Sequence, residues 1–164
     1  MSEFLPQLRV GEGWDTHALV PDRPLILGGI KIPHSHGLLG HSDADALLHA
    51  ITDALLGAAA MGDIGSHFPD TDTAYANADS AKLLQTAWLA VQQRGWSLNN
   101  LDCTIVAQAP KMAPHIPAMR ERIAQCLGVA VEQVNVKAKT AERMGPVGEG
   151  KAIEARAVVL LMAK

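Results

Sequence analysis

The run Ile153–Met162, IEARAVVLLM, constrains the fold more than any other stretch. Ile153, Ala155, Ala157, Val159 and Leu161 alternate with Glu154, Arg156 and Val158. Residues two apart on a strand share a face, so this is a strand with one side against a core. Such a strand needs neighbours and a cover. Leu8–Val10, Leu101–Ala107 and Val134–Lys139 read as further strands, and Leu25–Leu27 and Ile30–Ile32 flank Gly28-Gly29 as a two-residue hairpin. The cover is expected from three helices. The first runs from about Asp43 to Ala60, with Ser42 as N-cap, Asp45 completing a capping box, and an apolar stripe of Ile51, Leu55, Ala58 and Ala59. Asp45, His49 and Asp53 recur every fourth residue on another face of it. The second, Asp79–Arg94, buries Leu83, Leu84, Ala87, Trp88 and Val91 and ends at Gly95, and the third is Ile116–Leu127, closed by Gly128. The expected class is α+β: one mixed sheet, a hairpin, and about three helices on one face.

A length of 164 residues suits one domain, drawn here as residues 8–164 with an N-terminal extension of residues 1–7 that has no arguable role. Net charge is −3 and aromatics are 4% of the chain, so neither a basic field nor stacking surfaces favour a nucleic-acid partner. The most apolar window, ALLHAITDALLGAAAMG, contains His49 and Asp53 and is short for a bilayer, so no membrane span is expected. The N-terminal stretch lacks a signal-peptide pattern, and Cys103 and Cys126 form no CxxC pair; both are read as reduced thiols of a cytoplasmic protein.

Asp15 and His17, in GEGWDTHAL, stand two apart on a strand-like segment and point the same way. His49 faces away from the apolar stripe of its helix. One carboxylate and two imidazoles suit Zn²⁺ with a fourth position left open, although Mn²⁺ or Co²⁺ fit the same set. Spacing alone favours ordinary solvated or hydrogen-bonded histidines over a metal site.

Five ordered blocks carry a resemblance: Gly11–His17, His41–Gly65, Phe68–Asp72, Ala107–Arg120 and Val134–Glu142. In these the chain resembles the 2-C-methyl-D-erythritol 2,4-cyclodiphosphate synthase family. The resemblance implies closure of 4-diphosphocytidyl-2-C-methyl-D-erythritol 2-phosphate into the cyclic diphosphate with release of CMP. It also implies a homotrimer with active sites between neighbouring subunits. The family's zinc ligands fall on Asp15, His17 and His49, and a second ion, Mg²⁺ or Mn²⁺, on the substrate diphosphate is held by Glu142. His41 and Thr140 are implied as catalytic, stabilising the transition state. Substrate contacts are implied for Asp15, Thr16, His17, His41 and Ser42. The methylerythritol and ribose segments comprise Asp63, Ile64 and Gly65, then Phe68, Pro69, Asp70, Thr71 and Asp72. The cytosine loop comprises Ala107, Gln108, Ala109, Pro110, Lys111, Met112 and Ala113, and the phosphate side Lys139, Thr140, Ala141 and Glu142.

The chemistry of that reaction suits these residue types. Its nucleophile is a phosphate oxygen that is already anionic, so no strong base is needed. Like charges at about 4 Å repel by roughly 1 kcal/mol in water and about 4 kcal/mol at an effective dielectric near 20, so cations are the main requirement. His41 is expected beside the free N–H groups of the first helix, which attract anions.

Three features depart from the family pattern. Trp14 replaces a common phenylalanine, and Lys139 and Ala141 flank Thr140 in place of threonines. In MGPVGEGKA, Pro146 and Glu149 stand where many relatives have an aromatic residue and an arginine, and Lys151 stands for a glutamate. An exchanged Glu149–Lys151 ion pair is expected, with weaker binding of prenyl diphosphates on the trimer axis. The alternatives are a zinc-dependent hydrolase of a nucleotide diphosphate and a non-catalytic trimer that binds prenyl diphosphates.

Overall fold

A computed structural model describes residues 7–164; most of the expected extension lies outside the described residues. A five-stranded sheet runs in the order β4-β1-β7-β5-β6. Its strands are β1 (Leu8–Pro21), β4 (His36–Leu38), β5 (Trp96–Val106), β6 (Val134–Lys139) and β7 (Ala152–Ala163). The β5–β6 pair is parallel and every other pair is antiparallel, so the sheet is mixed as expected. The hairpin of β2 (Leu25–Leu27) and β3 (Ile30–Ile32) forms a separate two-stranded sheet. Gly28 and Gly29 both take positive φ, as a tight two-residue turn requires.

Helices α1 (Ala46–Ala58), α3 (Ser80–Gln93) and α4 (Ile116–Leu127) cover one face. Two single-turn helices, α2 (Ile64–His67) and α5 (Gly145–Gly148), were not expected. The alternation in β7 holds: Ile153, Ala155, Ala157, Val159 and Leu161 are buried beneath the helices. The opposite face is open, with Leu8, Val10, Trp14, Val158 and Met162 exposed along β1 and β7.

Several boundaries differ from the sequence reading. β1 continues through Gly11 and Gly13 to Pro21 and so includes Asp15 and His17. Glycine weakens a strand pattern, but here α1 lies directly on both glycines. β5 begins at Trp96 rather than Leu101, because a register shift at Asn99 interrupts the alternation. The N-cap of α1 is Asp45, not Ser42. Ala44 has φ of 56°, which keeps the helix from starting earlier, and the N–H of Leu48 donates to Asp45 at 3.0 Å. Asp45 is fully buried and also accepts from the N–H groups of Gly28 and Gly29 at 2.9 and 2.7 Å, tying the hairpin to α1. The acids on that helical face therefore act as ties. Asp53, two turns on, accepts from the N–H of Ile64 at 2.7 Å and holds α2.

Candidate metal centre and substrate clefts

Asp15 and His17 project from β1 toward the helix-covered face, where His49 arrives from the first turns of α1. Asp15 Oδ2 lies 2.9 Å from His17 Nε2 and 3.0 Å from His49 Nδ1, and the two nitrogens are 3.4 Å apart. Ligand atoms about 2.0–2.2 Å from a tetrahedral zinc stand roughly 3.3–3.5 Å from one another. Shifts of a few tenths of an ångström therefore seat an ion, and the donor set fits one. No other cluster of three such groups occurs among the described residues.

The surroundings fix which atoms point inward. His17 Nδ1 donates to the Leu39 carbonyl at 2.8 Å, which turns Nε2 toward Asp15. His49 Nε2 lies 2.8 Å from Ser80 Oγ and 3.2 Å from Ser42 Oγ, which turns Nδ1 inward. Burial pushes the Asp15 carboxyl up, but hydrogen bonds and charge from both imidazoles outweigh it and hold it at about 2. Burial pushes His17 down, and the Asp15 carboxylate with the Leu39 carbonyl more than reverses this, leaving it above the ordinary histidine value.

The triad opens into a cleft of about 260 Å³ that also contains His41, Ser42, Ile64, Gly65, Phe68 and Asp70. Gly40, Tyr75 and Leu83 line it too, and sequence reasoning missed them. Gly40 is legible only in retrospect: a methyl there would sit 3.0 Å from the His17 ring. His41 is not at a helix N-terminus, since the cap lies four residues later; it lies at the surface, with Nε2 3.5 Å from the Asp72 carbonyl. Ser42 is buried and accepts from the N–H of Ala44 at 3.1 Å, so it shapes the turn and contacts His49. Thr16 points to the open face, opposite Asp15 and His17, and donates to the Ile153 carbonyl at 3.3 Å. Asp63, Pro69, Thr71 and Asp72 do not line the cleft; Asp63 caps α2 and Asp72 caps the turn at Thr73–Tyr75.

The other expected contacts gather elsewhere. Ala107, Gln108, Ala109, Pro110, Lys111, Met112 and Ala113 form a second cleft of about 250 Å³ with Lys139 and Thr140; Ile116 and Ala138 complete it. Thr140 donates to Glu142 Oε1 at 3.3 Å, and Glu142 is not among the triad's neighbours; Ala141 and Glu142 lie just beyond this cleft. Asp15 pairs with Ala155, Ala155 with Ile105, and Ile105 with Ala138. Both clefts therefore open at the same end of the sheet, three strand spacings or about 14 Å apart. Within one chain the two halves of the expected site are separate. Glu149 and Lys151 do form an ion pair, at 2.5 Å, on the surface.

Among the described residues no helix is long and apolar enough to cross a membrane. The chain is 65% identical over 158 residues to a 2-C-methyl-D-erythritol 2,4-cyclodiphosphate synthase of Verminephrobacter eiseniae, covering 95% of this chain and 86% of that protein. It is 64% identical over 153 residues to a bifunctional enzyme IspD/IspF of Albidiferax ferrireducens, covering 93% of this chain but spanning only 37% of that longer protein. In three dimensions it matches the IspF–CDP complex of Plasmodium falciparum with a TM-score of 0.85 at 36% identity, over 96% of this chain and 97% of that one. The YgbB family pattern matches residues 8–162, from the first strand nearly to the end of the last, and the chain belongs to that family.

Proposed function

We propose that the chain is a phosphorus–oxygen lyase that cyclises 4-diphosphocytidyl-2-C-methyl-D-erythritol 2-phosphate and releases CMP, a step of isoprenoid precursor synthesis. The observation that carries this reading is the convergence of Asp15, His17 and His49 on one point inside a cleft, within a family match spanning almost the whole chain. A divalent ion held there, Zn²⁺ by preference, supplies a Lewis acid for phosphate oxygens. Asp15, His17 and His49 hold it, with Leu39 and Ser80 orienting the imidazoles. His41, at the mouth of the cleft, donates a hydrogen bond to a phosphate oxygen. Ile64, Gly65, Phe68 and Asp70 shape the wall that receives the sugar part.

The second cleft suits cytosine: the 107–113 loop offers backbone N–H and C=O groups to the base edge, and Pro110 stiffens it. The Thr140 hydroxyl, turned from Glu142 toward the ligand, donates to the diphosphate, and Glu142 would hold Mg²⁺ or Mn²⁺ there. A homotrimer brings the second cleft of one subunit beside the triad of the next. The open apolar face of β1 and β7 supports an assembly of this kind, since a soluble monomer rarely leaves such a face bare. The buried free thiols of Cys103 and Cys126 suit a reducing, cytoplasmic location. The surface Glu149–Lys151 pair supports weak binding of prenyl diphosphates, because Glu149 repels an anion.

Purified protein incubated with the cytidyl substrate, Zn²⁺ and Mg²⁺ tests this by phosphorus NMR. Cyclic diphosphate with stoichiometric CMP is expected. A linear product would instead indicate hydrolysis, and no turnover a binding protein.

A further inference from the structure

His49 can serve as a ligand only if Nδ1 keeps its lone pair, and an imidazole by itself does not choose between its tautomers. Asp15 Oδ2, 3.0 Å from Nδ1, competes for a proton on that side, and the neighbours of Nε2 oppose it. Ser80, 1% exposed at the start of α3, lies 2.8 Å from that nitrogen, and its own hydroxyl donates to Asp43 Oδ1. A carboxylate is acceptor-only, so the Ser80 hydrogen is committed to Asp43 and only lone pairs of Ser80 face His49. The polarity of the chain is thereby fixed: Nε2–H donates to Ser80, and Ser80 donates to Asp43. Asp43 is itself anchored, accepting from the N–H of Ser80 at 3.1 Å through Oδ2 and from the N–H of Asp45 at 3.1 Å through Oδ1. Ser42 Oγ, at 3.2 Å, is a longer second acceptor for the same N–H.

We propose that Ser80 and Asp43 are positioning residues that hold His49 in the tautomer presenting Nδ1 to the divalent ion. This rests on the metal site proposed above. It goes further by assigning two residues from outside the ligand set, one of them on a different helix from His49. His17 obtains the same service from a backbone carbonyl, which no substitution at Leu39 removes; His49 depends on side chains, so its support can be tested. Loss of such outer partners commonly weakens metal binding 10- to 100-fold.

The test measures Zn²⁺ affinity of the full chain by chelator competition, alongside the imidazole ¹⁵N shifts of His49 in metal-free protein at mildly alkaline pH. Wild type should show His49 protonated at Nε2, whatever proton Nδ1 shares with Asp15 Oδ2 at 3.0 Å. Ser80→Ala should show a mixture of tautomers and bind Zn²⁺ about 10-fold or more weakly, nearer the low end of the range because Ser42 remains. Ser80→Thr, which keeps the hydroxyl, should restore both. A Ser80→Ala affinity within twofold of wild type with an unchanged tautomer would overturn the proposal. If Ser80→Ala does not fold, Asp43→Ala removes the acceptor of the Ser80 hydroxyl hydrogen, and unchanged affinity and tautomer there overturn it equally. Failure of the unmodified protein to bind Zn²⁺ would count against the metal site itself, a distinguishable result.

Discussion

A methyl group on Gly13 would lie 1.8 Å from the carbonyl oxygen of Ala50. Gly11 repeats the relationship one helical turn on, where a methyl would be 2.0 Å from the carbonyl of Ala54. β1 and α1 thus touch backbone to backbone. Asp15 lies two residues beyond Gly13, and His49 immediately precedes Ala50. The contact that brings the helix onto the strand therefore also sets the distance between ligands from the two elements.

Gly13→Ala should force α1 and β1 apart, because neither atom in the clash belongs to a flexible side chain. Overpacking of this kind costs about 1–3 kcal/mol, and a backbone clash places Gly13→Ala at the upper end. Denaturant unfolding should reveal the loss, and Zn²⁺ affinity should fall with it. Wild-type stability and affinity in Gly13→Ala would mean that the contact does not position the triad.

His49→Ala should abolish bound zinc and cyclisation while leaving a folded protein. Metal analysis, circular dichroism and turnover together test this. Retained turnover in metal-depleted His49→Ala would remove His49 from the ligand set.

Metal affinity should depend on pH through His17. Its folded value is raised by Asp15, so its proton stabilises the metal-free fold below the ordinary histidine range, and that contribution is lost as pH rises through the raised value. An ion competes for the same Nε2 lone pair. Zn²⁺ should therefore bind more tightly as pH rises through this window, releasing a proton as it binds. Calorimetry in buffers of different ionisation enthalpy measures that release, and a pH-independent affinity would contradict it.

Asp45→Ala should strip acceptors from the N–H groups of Gly28, Gly29 and Leu48, each costing about 1–3 kcal/mol if left unpaired. The hairpin should loosen from α1, visible as faster amide exchange at Gly28 and Gly29. Burial raises Asp45 to about 6, the N–H bonds only partly offsetting it, so the folded state binds this proton more tightly than the unfolded chain does. The contribution of Asp45 to stability thus declines as pH rises from the usual carboxylate range to about 6, and Asp45→Ala should flatten that part of the profile.

Val10 is 70% exposed in the single chain, on the bare face. If subunits meet there, Val10→Glu buries a charge in the contact and should shift the protein toward monomer in sedimentation, with loss of turnover. Unchanged mass and activity would place the subunit contact elsewhere.

Elements whose signals are local were legible. α4, closed by Gly128, and β6 match the sequence reading residue for residue, and the β2–β3 hairpin follows from Gly28-Gly29. Asp15 and His17 share a face because strand geometry dictates it, and Thr16 faces away for the same reason, which the family resemblance alone did not convey. The start of α1 was misplaced because Ser42 and Asp45 are equally good caps by composition. What separated them was the left-handed backbone at Ala44 together with the two hairpin N–H groups that only Asp45 reaches.

By itself the sequence determined the alternating strand, the three covering helices and the residue types able to bind an ion, since each depends on periodicity within a few turns of chain. Tertiary structure alone decided that β1 and α1 pack without side chains between them, that Ser80 from another helix meets His49, and that the 107–113 loop lines a cleft separate from the triad. Those are relations between segments tens of residues apart, created when the sheet buries its apolar face, and local patterning carries no record of them.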